Sequence, residues 1–93
     1  MDRKLVHMAQ SRYTAGGPHD RATGANIRAE RSRRKLTQRG LAAAAGLSER
    51  TLVRIESGEV AVTLTHLVAL GEALGIDPRT LFVEALPEDR QES

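Results

Sequence analysis

The sequence predicts a compact, all-α domain of five short helices. Apolar residues recur at helical spacing from residue 23 onward. Five segments begin after a threonine, serine or aspartate that can cap a helix, and a glycine follows three of them. No segment shows the regular alternation of a half-buried strand. These observations together favour a helical bundle over any architecture that contains a sheet.

Length and composition exclude several classes of protein. The chain has 93 residues and no cysteine, which leaves room for one domain and rules out disulfides and thiolate metal sites. Its longest apolar stretch, residues 41–47, is much shorter than the roughly 20 residues needed to span a bilayer. The N-terminus lacks the apolar core of a secretory signal. We therefore expect a cytoplasmic protein with no membrane segment.

The helical pattern does not cover the whole chain. Residues 1–22 show little periodicity and contain Gly16–Gly17–Pro18, so we predict a flexible, basic N-terminal tail. Residues 23–86 form the predicted helical domain. Pro87 ends the last helix, and residues 87–93 are expected to be an acidic fray.

The first two helices are predicted from their caps and apolar spacing. Thr23 and Thr37 can each cap a helix start with the side-chain oxygen. Gly46 suits the left-handed position that follows the second helix. The residues that share a face of the first helix are Ile27, Arg31, Arg34, Lys35 and Leu36. Those that define the second helix are Leu41, Ala42 and Ala45.

The last three helices are predicted in the same way. Ser48 caps the third and Gly58 ends it, while Thr63 opens the fourth and Gly75 stops it. Asp77–Pro78, a cap followed by a proline at the first helical position, starts the fifth. The residues expected to face inward or define the helices are Leu52, Ile55, Leu67, Leu70, Gly71, Leu74, Leu81, Phe82 and Ala85.

The charge is distributed unevenly along the chain. Residues 1–54 contain twelve Lys and Arg against four Asp and Glu, whereas residues 55–93 contain two against eight. The first part therefore carries a net charge of +8 and the second −6, although the whole chain carries only +2. Such asymmetry suggests one face for a polyanion and another for a different partner.

The segment from Thr37 to Gly58 carries the functional signal. Two helices of about eight residues are joined by the tight turn at residues 45–48, the arrangement of a helix-turn-helix. The second of these helices can lie in the major groove of DNA, where its N-terminal side chains reach base edges. Its outer positions are Glu49, Arg50, Thr51 and Arg54.

Residues 26–82 resemble the Cro/repressor helix-turn-helix family, also called the XRE type. The matching positions are Ile27, Arg31, Thr37–Gln38, Leu41–Ala42, Gly46, Ile55–Glu56, Gly58, Leu67, Ala73–Leu74–Gly75 and Leu81–Phe82. The resemblance implies the compact five-helix fold of phage-repressor DNA-binding domains. It also implies a transcriptional regulator, specifically a repressor that binds a palindromic operator in double-stranded DNA as a homodimer.

The resemblance further implies roles for individual residues. The residues expected to contact bases are Glu49, Arg50, Thr51 and Arg54. By the resemblance, Gln38 and Ser57 contact phosphates. We also expect phosphate contacts from the basic residues Arg28, Arg33 and Arg34. Arg31 and Glu56 would form a structural ion pair. Leu81 and Phe82 would lie near the dimer contact.

Three features depart from the family pattern. Gly40 lies inside the second helix, where it costs about 1 kcal/mol relative to alanine. The loop at residues 59–62 is acidic and apolar rather than basic, so we assign Val60 and Val62 to an interface. Glu49 is unusual beside phosphates. It either accepts a hydrogen bond from a cytosine amino group or complements the helix dipole.

The sequence predicts no enzyme, cofactor or metal site. His7, His19 and His66 have no partners at the spacing of metal ligands. Neither Ser48 nor Ser57 has a nearby His–Asp arrangement, and the chain has no glycine-rich phosphate loop.

Two alternatives stay open. The same fold can serve as an antitoxin-like module that binds a partner protein and autoregulates its operon, which the apolar loop at residues 59–62 and the acidic second part favour. The N-terminal tail is either disordered or an arm that follows the DNA backbone or enters the minor groove. Its basic residues are Arg3, Lys4, Arg12 and Arg21.

Overall fold

The computed structural model describes residues 16–83, which form five helices. These are α1 (Pro18–Arg33), α2 (Gln38–Ala45), α3 (Glu49–Ser57), α4 (Leu64–Leu74) and α5 (Pro78–Val83). The described part of the chain contains no strand, so the prediction of an all-α domain is confirmed. No helix in this part is long and apolar enough to cross a membrane. The predictions for residues 1–15 and for Ala85, Pro87 and residues 87–93 lie outside the described residues.

Helices α2, α3 and α4 begin and end where the sequence predicts. Their cap residues Thr37, Ser48 and Thr63 each accept a hydrogen bond from the backbone N–H three residues further on. The residues that follow the three helices are glycines with left-handed backbones: Gly46, Gly58 and Gly75, with φ of 74°, 79° and 74°. Asp77 caps α5, accepting the N–H of Arg79 at 2.9 Å. These boundaries were predictable because capping is a local property of the chain.

Helix α1 begins earlier than predicted. It starts at Pro18, so Thr23 is not its cap, and residues 18–22 belong to the helix rather than to the tail. Pro18 occupies the first helical position, and Asp20 accepts the backbone N–H of Gly16 at 2.8 Å. The polar first turn has no apolar period, which is why the sequence did not reveal it. Thr23 is instead buried within the helix.

The core takes large apolar side chains from every helix. The six that are fully buried are Ile27, Leu41, Leu52, Ile55, Leu70 and Leu81. Helix α1 packs against α3, α4 and α5, while α2 packs against α3 and α4. Helix α3 is therefore held by α1 and α2 together, and its remaining face is open to solvent.

Leu81 belongs to this core and not to a dimer interface. Its exposed fraction is 1 %, so the prediction that it contacts a second copy is wrong. A single chain already buries the side chain completely. The neighbouring Phe82 is exposed, as the dimer prediction requires of it.

Helices α1 and α3 approach each other at backbone distance. A Cβ added at Gly24 would lie 2.2 Å from the carbonyl oxygen of Ile55, far inside van der Waals contact. Only glycine lets α1 cross the last turn of α3 this closely. The sequence offered no signal for this contact, because it joins residues far apart in the chain.

Helix α1 ends with a left-handed residue that is not glycine. Lys35 has φ of 55°. The N–H of Leu36 bonds to the Arg31 carbonyl at 3.2 Å, as the N–H of Leu47 bonds to the Ala42 carbonyl at 2.8 Å after α2. Both turns are thus the same helix-ending motif. At Lys35 the motif carries a side chain that the left-handed region disfavours.

We expect Lys35→Gly to be more stable than Lys35→Ala by about 0.5–1 kcal/mol in urea denaturation. Both variants remove the charge, but alanine keeps a left-handed penalty of about 1–2 kcal/mol, while glycine adds a smaller entropic cost. Gly75→Ala is the control in the opposite direction. An added Cβ at this position has no atom within 4 Å, so only the left-handed backbone penalty should lower the free energy of unfolding. Equal stability of the two Lys35 variants would contradict this account.

Candidate nucleic-acid interface

Helix α3 has one buried face and one exposed face. Leu52, Ile55 and Glu56 point into the domain. The exposed residues are Glu49, Arg50, Val53, Arg54 and Ser57. Because they are spaced three and four apart, they form a continuous surface along the helix. We call this surface the α3 face.

Three of the four predicted base-contacting residues are exposed on the α3 face. Thr51 differs, since it is half-buried and its Oγ1 accepts a hydrogen bond from the Ser48 hydroxyl at 2.8 Å. Arg50 has no ion-pair or hydrogen-bond partner within residues 16–83. Its guanidinium is thus available to a ligand without the loss of an existing contact.

The other charges on the α3 face are paired. Glu49 lies 3.5 Å from Nε of Arg39 at the start of α2, and Arg54 lies 3.7 Å from a carboxylate oxygen of Glu59. Both pairs are exposed to solvent. The charge of Glu49, which was unexpected beside phosphates, is therefore compensated by Arg39. The sequence prediction did not include Arg39, although a basic residue in the first turn of a helix-turn-helix is a usable signal.

Glu56 lies behind the α3 face, with its side chain fully buried. Its carboxylate accepts two hydrogen bonds from Arg31, from Nε at 2.7 Å and from Nη2 at 3.0 Å. This hydrogen bonding raises the pKa of Arg31 above its ordinary value. Nη1 of Arg31 also donates to the Leu36 carbonyl at 2.8 Å. The structure thus contains the Arg31–Glu56 ion pair, in the interior position expected of a structural contact.

Gln38 joins the same carboxylate. Its Nε2 donates to Oε1 of Glu56 at 2.9 Å, which ties the start of α2 to the end of α3. An amide nitrogen carries two hydrogens, so one N–H remains for another acceptor. Arg28 approaches Glu56 from outside, at 3.9 Å, with 61 % of its side chain exposed.

The two arginines at the end of α1 differ in how freely they could bind a phosphate. Arg34 donates from Nε to the Leu74 carbonyl at 2.9 Å and from Nη1 to the backbone and side chain of Glu30. Arg34 therefore links the end of α1 to the end of α4. Within residues 16–83 Arg33 pairs only with Glu30, and it is largely exposed. Hydrogen bonds from Arg33 and Arg34 hold the pKa of Glu30 below its ordinary value.

Ser57 ends the α3 face with its hydroxyl turned toward the protein. The hydroxyl is 3.0 Å from both the Arg54 carbonyl and a carboxylate oxygen of Glu59. The hydroxyl is therefore within hydrogen-bond distance of two acceptors of its own chain. A phosphate contact by Ser57 would require the side chain to turn outward.

The residues predicted at an interface lie in the loop between α3 and α4 and on α5. Val60 and Val62 are half-buried and pack against the core. Val62 also lines an apolar groove of about 460 Å³ between α4 and α5. The residues that line this groove are Val62, Leu64, Leu67, Pro78, Arg79 and Phe82. Leu64 is highly exposed, and the sequence prediction missed it because it lies one residue after the cap of α4.

Histidine and carboxylate side chains do not converge on a metal site within residues 16–83. His66 has a structural position, since its backbone N–H donates to the Thr63 hydroxyl at 3.0 Å and its ring faces the Thr63 N–H. This reciprocal contact is a capping box at the start of α4.

The chain is similar to known helix-turn-helix proteins in both sequence and structure. The profile of the helix-turn-helix family matches residues 27–81. The restriction-modification controller protein C.AhdI from Aeromonas hydrophila is 34% identical and has a TM-score of 0.65, with 67% of this chain and 94% of that chain covered. The clp gene regulator ClgR from C. glutamicum is 32% identical and has a TM-score of 0.67, with 71% and 86% covered. No curated protein matches the chain in sequence comparison.

A third solved structure is similar over a smaller part of its own length. ComR from S. Thermophilus, in its apo form, is 28% identical with a TM-score of 0.65. The alignment covers 78% of this chain but only 26% of ComR. The shared part is thus the size of one helix-turn-helix domain.

We expect Glu56→Ala to lower the free energy of unfolding by about 3 kcal/mol, because the largely buried Arg31 guanidinium is left without its partner. Arg28→Ala is the matched control, since it removes an exposed arginine near the same carboxylate and should cost less than about 1 kcal/mol. Urea denaturation measures both. Similar losses for the two variants would show that the buried position of the pair is unimportant.

Proposed function

Because the chain belongs to the helix-turn-helix family of the Cro/repressor type and is a DNA-binding transcriptional regulator, we propose that it recognises a specific duplex site by inserting α3 into the major groove. The observation that carries this proposal is the α3 face, an exposed surface on which the Arg50 side chain has no partner within residues 16–83. A helix with its side chains is about 10–12 Å across, which fits the major-groove width of about 12 Å.

In this arrangement Arg50 and Arg54 read bases. A bidentate contact between arginine and guanine contributes about 1–3 kcal/mol of discrimination. The exposed Arg54–Glu59 pair is worth at most about 1 kcal/mol, so a guanine can displace Glu59 from Arg54. Glu49 accepts a hydrogen bond from a base amino group once Arg39 turns to a phosphate. Thr51 contributes from the edge of the α3 face.

Phosphates are bound by residues around the α3 face. Gln38 offers its second N–H at the start of α2, where unpaired backbone N–H groups also favour an anion. Arg28 and Arg33 offer exposed guanidinium groups. Ser57 would contribute only after its hydroxyl turns outward. Arg34 is omitted from this set, because its hydrogen bonds to Leu74 and Glu30 hold the domain together.

We further propose that the protein binds a palindromic operator as a homodimer and represses transcription by occupying a promoter. Half-sites would then lie about one helical turn apart. Exposed Leu64 and Phe82, together with the groove between α4 and α5, offer an apolar surface for the second copy. Selection of bound sequences from random duplex DNA tests this, because a dimer yields a symmetric site. In the alternative interpretation, this surface binds a different protein.

We expect Arg50→Ala to weaken binding to the selected duplex by about 1–3 kcal/mol and binding to random duplex by much less. Arg54→Ala should show the same pattern with a smaller loss. In the unmodified protein a base contact by Arg54 costs its contact with Glu59, so the net contribution of Arg54 to binding is smaller. Arg33→Ala is the control and should weaken both duplexes alike. Titrations at one fixed salt concentration measure these losses. Equal losses on both duplexes for Arg50→Ala would overturn the base-reading role.

The proposed phosphate contacts can be tested by the salt dependence of binding. If Arg28 neutralises one phosphate, Arg28→Ala should reduce the slope of log affinity against log salt by about 0.9 on specific and random duplex alike. Arg79→Ala is the control, since Arg79 is more exposed than Arg28 (84 % of its side chain against 61 %) but lies on α5. An unchanged slope for Arg28→Ala, or an equal change for Arg79→Ala, would remove Arg28 from the interface.

A further inference from the structure

The α3 face contains one apolar side chain among its polar residues. Val53 is 39% exposed, three residues after Arg50 and four before Ser57. The other large apolar residues exposed within residues 16–83 are Leu64, Val68 and Phe82, which lie on α4 and α5. The exposure of Val53 is therefore separate from the apolar surface that we assign to the second copy.

A valine in the middle of a DNA-reading surface has a narrow choice of partners. It can neither donate nor accept a hydrogen bond, so a base edge that offers only polar groups would lose water without compensation. Among the four bases, only thymine presents an apolar group in the major groove, the C5 methyl. Contact between this methyl group and the valine methyl groups removes apolar surface of both partners from water.

We propose that Val53 is a specificity-determining residue that reads the C5 methyl group of a thymine. The inference rests on the proposed placement of α3 in the major groove. Along the helix axis Val53 lies about 4.5 Å from Arg50, and base pairs are about 3.4 Å apart. The thymine therefore lies one or two base pairs from the base that Arg50 contacts.

The competing explanation is an ordinary exposed valine, since isolated apolar residues are common on protein surfaces. Val68 provides the matched control. It is also a helical valine and is 41% exposed, but it lies on α4. If Val68 lies in the dimer contact, its truncation alters the overall affinity and still leaves the preference for the methyl group intact.

The experiment uses the duplex selected from random DNA, in which each thymine in turn is replaced by deoxyuridine. The replacement removes the C5 methyl group and nothing else. For the unmodified protein we expect about fourfold weaker binding at one thymine position per half-site, the factor for one buried methyl-sized group. For Val53→Ala we expect weaker binding to the thymine duplex and no further loss on the deoxyuridine duplex. Val68→Ala should keep the fourfold ratio.

Three results would overturn the proposal. These are a selected site with no thymine within two base pairs of the Arg50 contact, no effect of deoxyuridine on the unmodified protein, and an undiminished effect in Val53→Ala. Loss of folding does not confuse the test, because alanine is the stronger helix former and the site is exposed. If Arg50→Ala weakens binding to the selected duplex much more than binding to random duplex, only the role of Val53 fails. If it weakens both equally, the major-groove placement fails as well.

Discussion

The orientation of the α3 face depends on the buried carboxylate of Glu56. It accepts hydrogen bonds from Arg31 on α1 and from Gln38 on α2, at 2.7–3.0 Å. A buried charge of this kind costs several kcal/mol unless its partners stay in place, so the three helices have little freedom to change their relative orientation. Arg50 lies on the same short helix as Glu56. A contact in the interior therefore determines where the α3 face points.

Helix α1 supplies donors to the rest of the domain. Besides the Arg31 contacts, Asn26 donates to the Leu81 carbonyl at 2.8 Å and Arg34 donates to the Leu74 carbonyl at 2.9 Å. The Leu74 carbonyl belongs to the last turn of α4, where carbonyl groups have no partner within the helix. The excess of basic residues in the first part of the chain is thus only partly available to DNA. Some of it stabilises the fold.

The local pattern of the sequence predicted the helix ends, whereas the one contact between distant segments that was predicted, Arg31–Glu56, came from the family resemblance. The caps Thr37, Ser48 and Thr63 depend on a few neighbouring residues, and their helices were predicted correctly. The Gln38–Glu56 bond and the Gly24 contact join positions 18 or more residues apart, and no local pattern reports them. In the short α5, Leu81 and Phe82 are adjacent and both apolar, so periodicity could not decide which one is buried.

The paired charges on the α3 face bear on specificity as well as affinity. In the free protein Glu49 and Arg54 both have oppositely charged partners nearby, so the face attracts phosphates less strongly than its composition suggests. Such exposed pairs are worth about 0–1 kcal/mol, whereas a correct base contact contributes about 1–3 kcal/mol. The exchange is therefore favourable only where a suitable base is present. With α3 in the major groove as proposed, a non-specific sequence would leave the pairs intact. The difference in free energy between the two cases would then add to discrimination without a larger net charge.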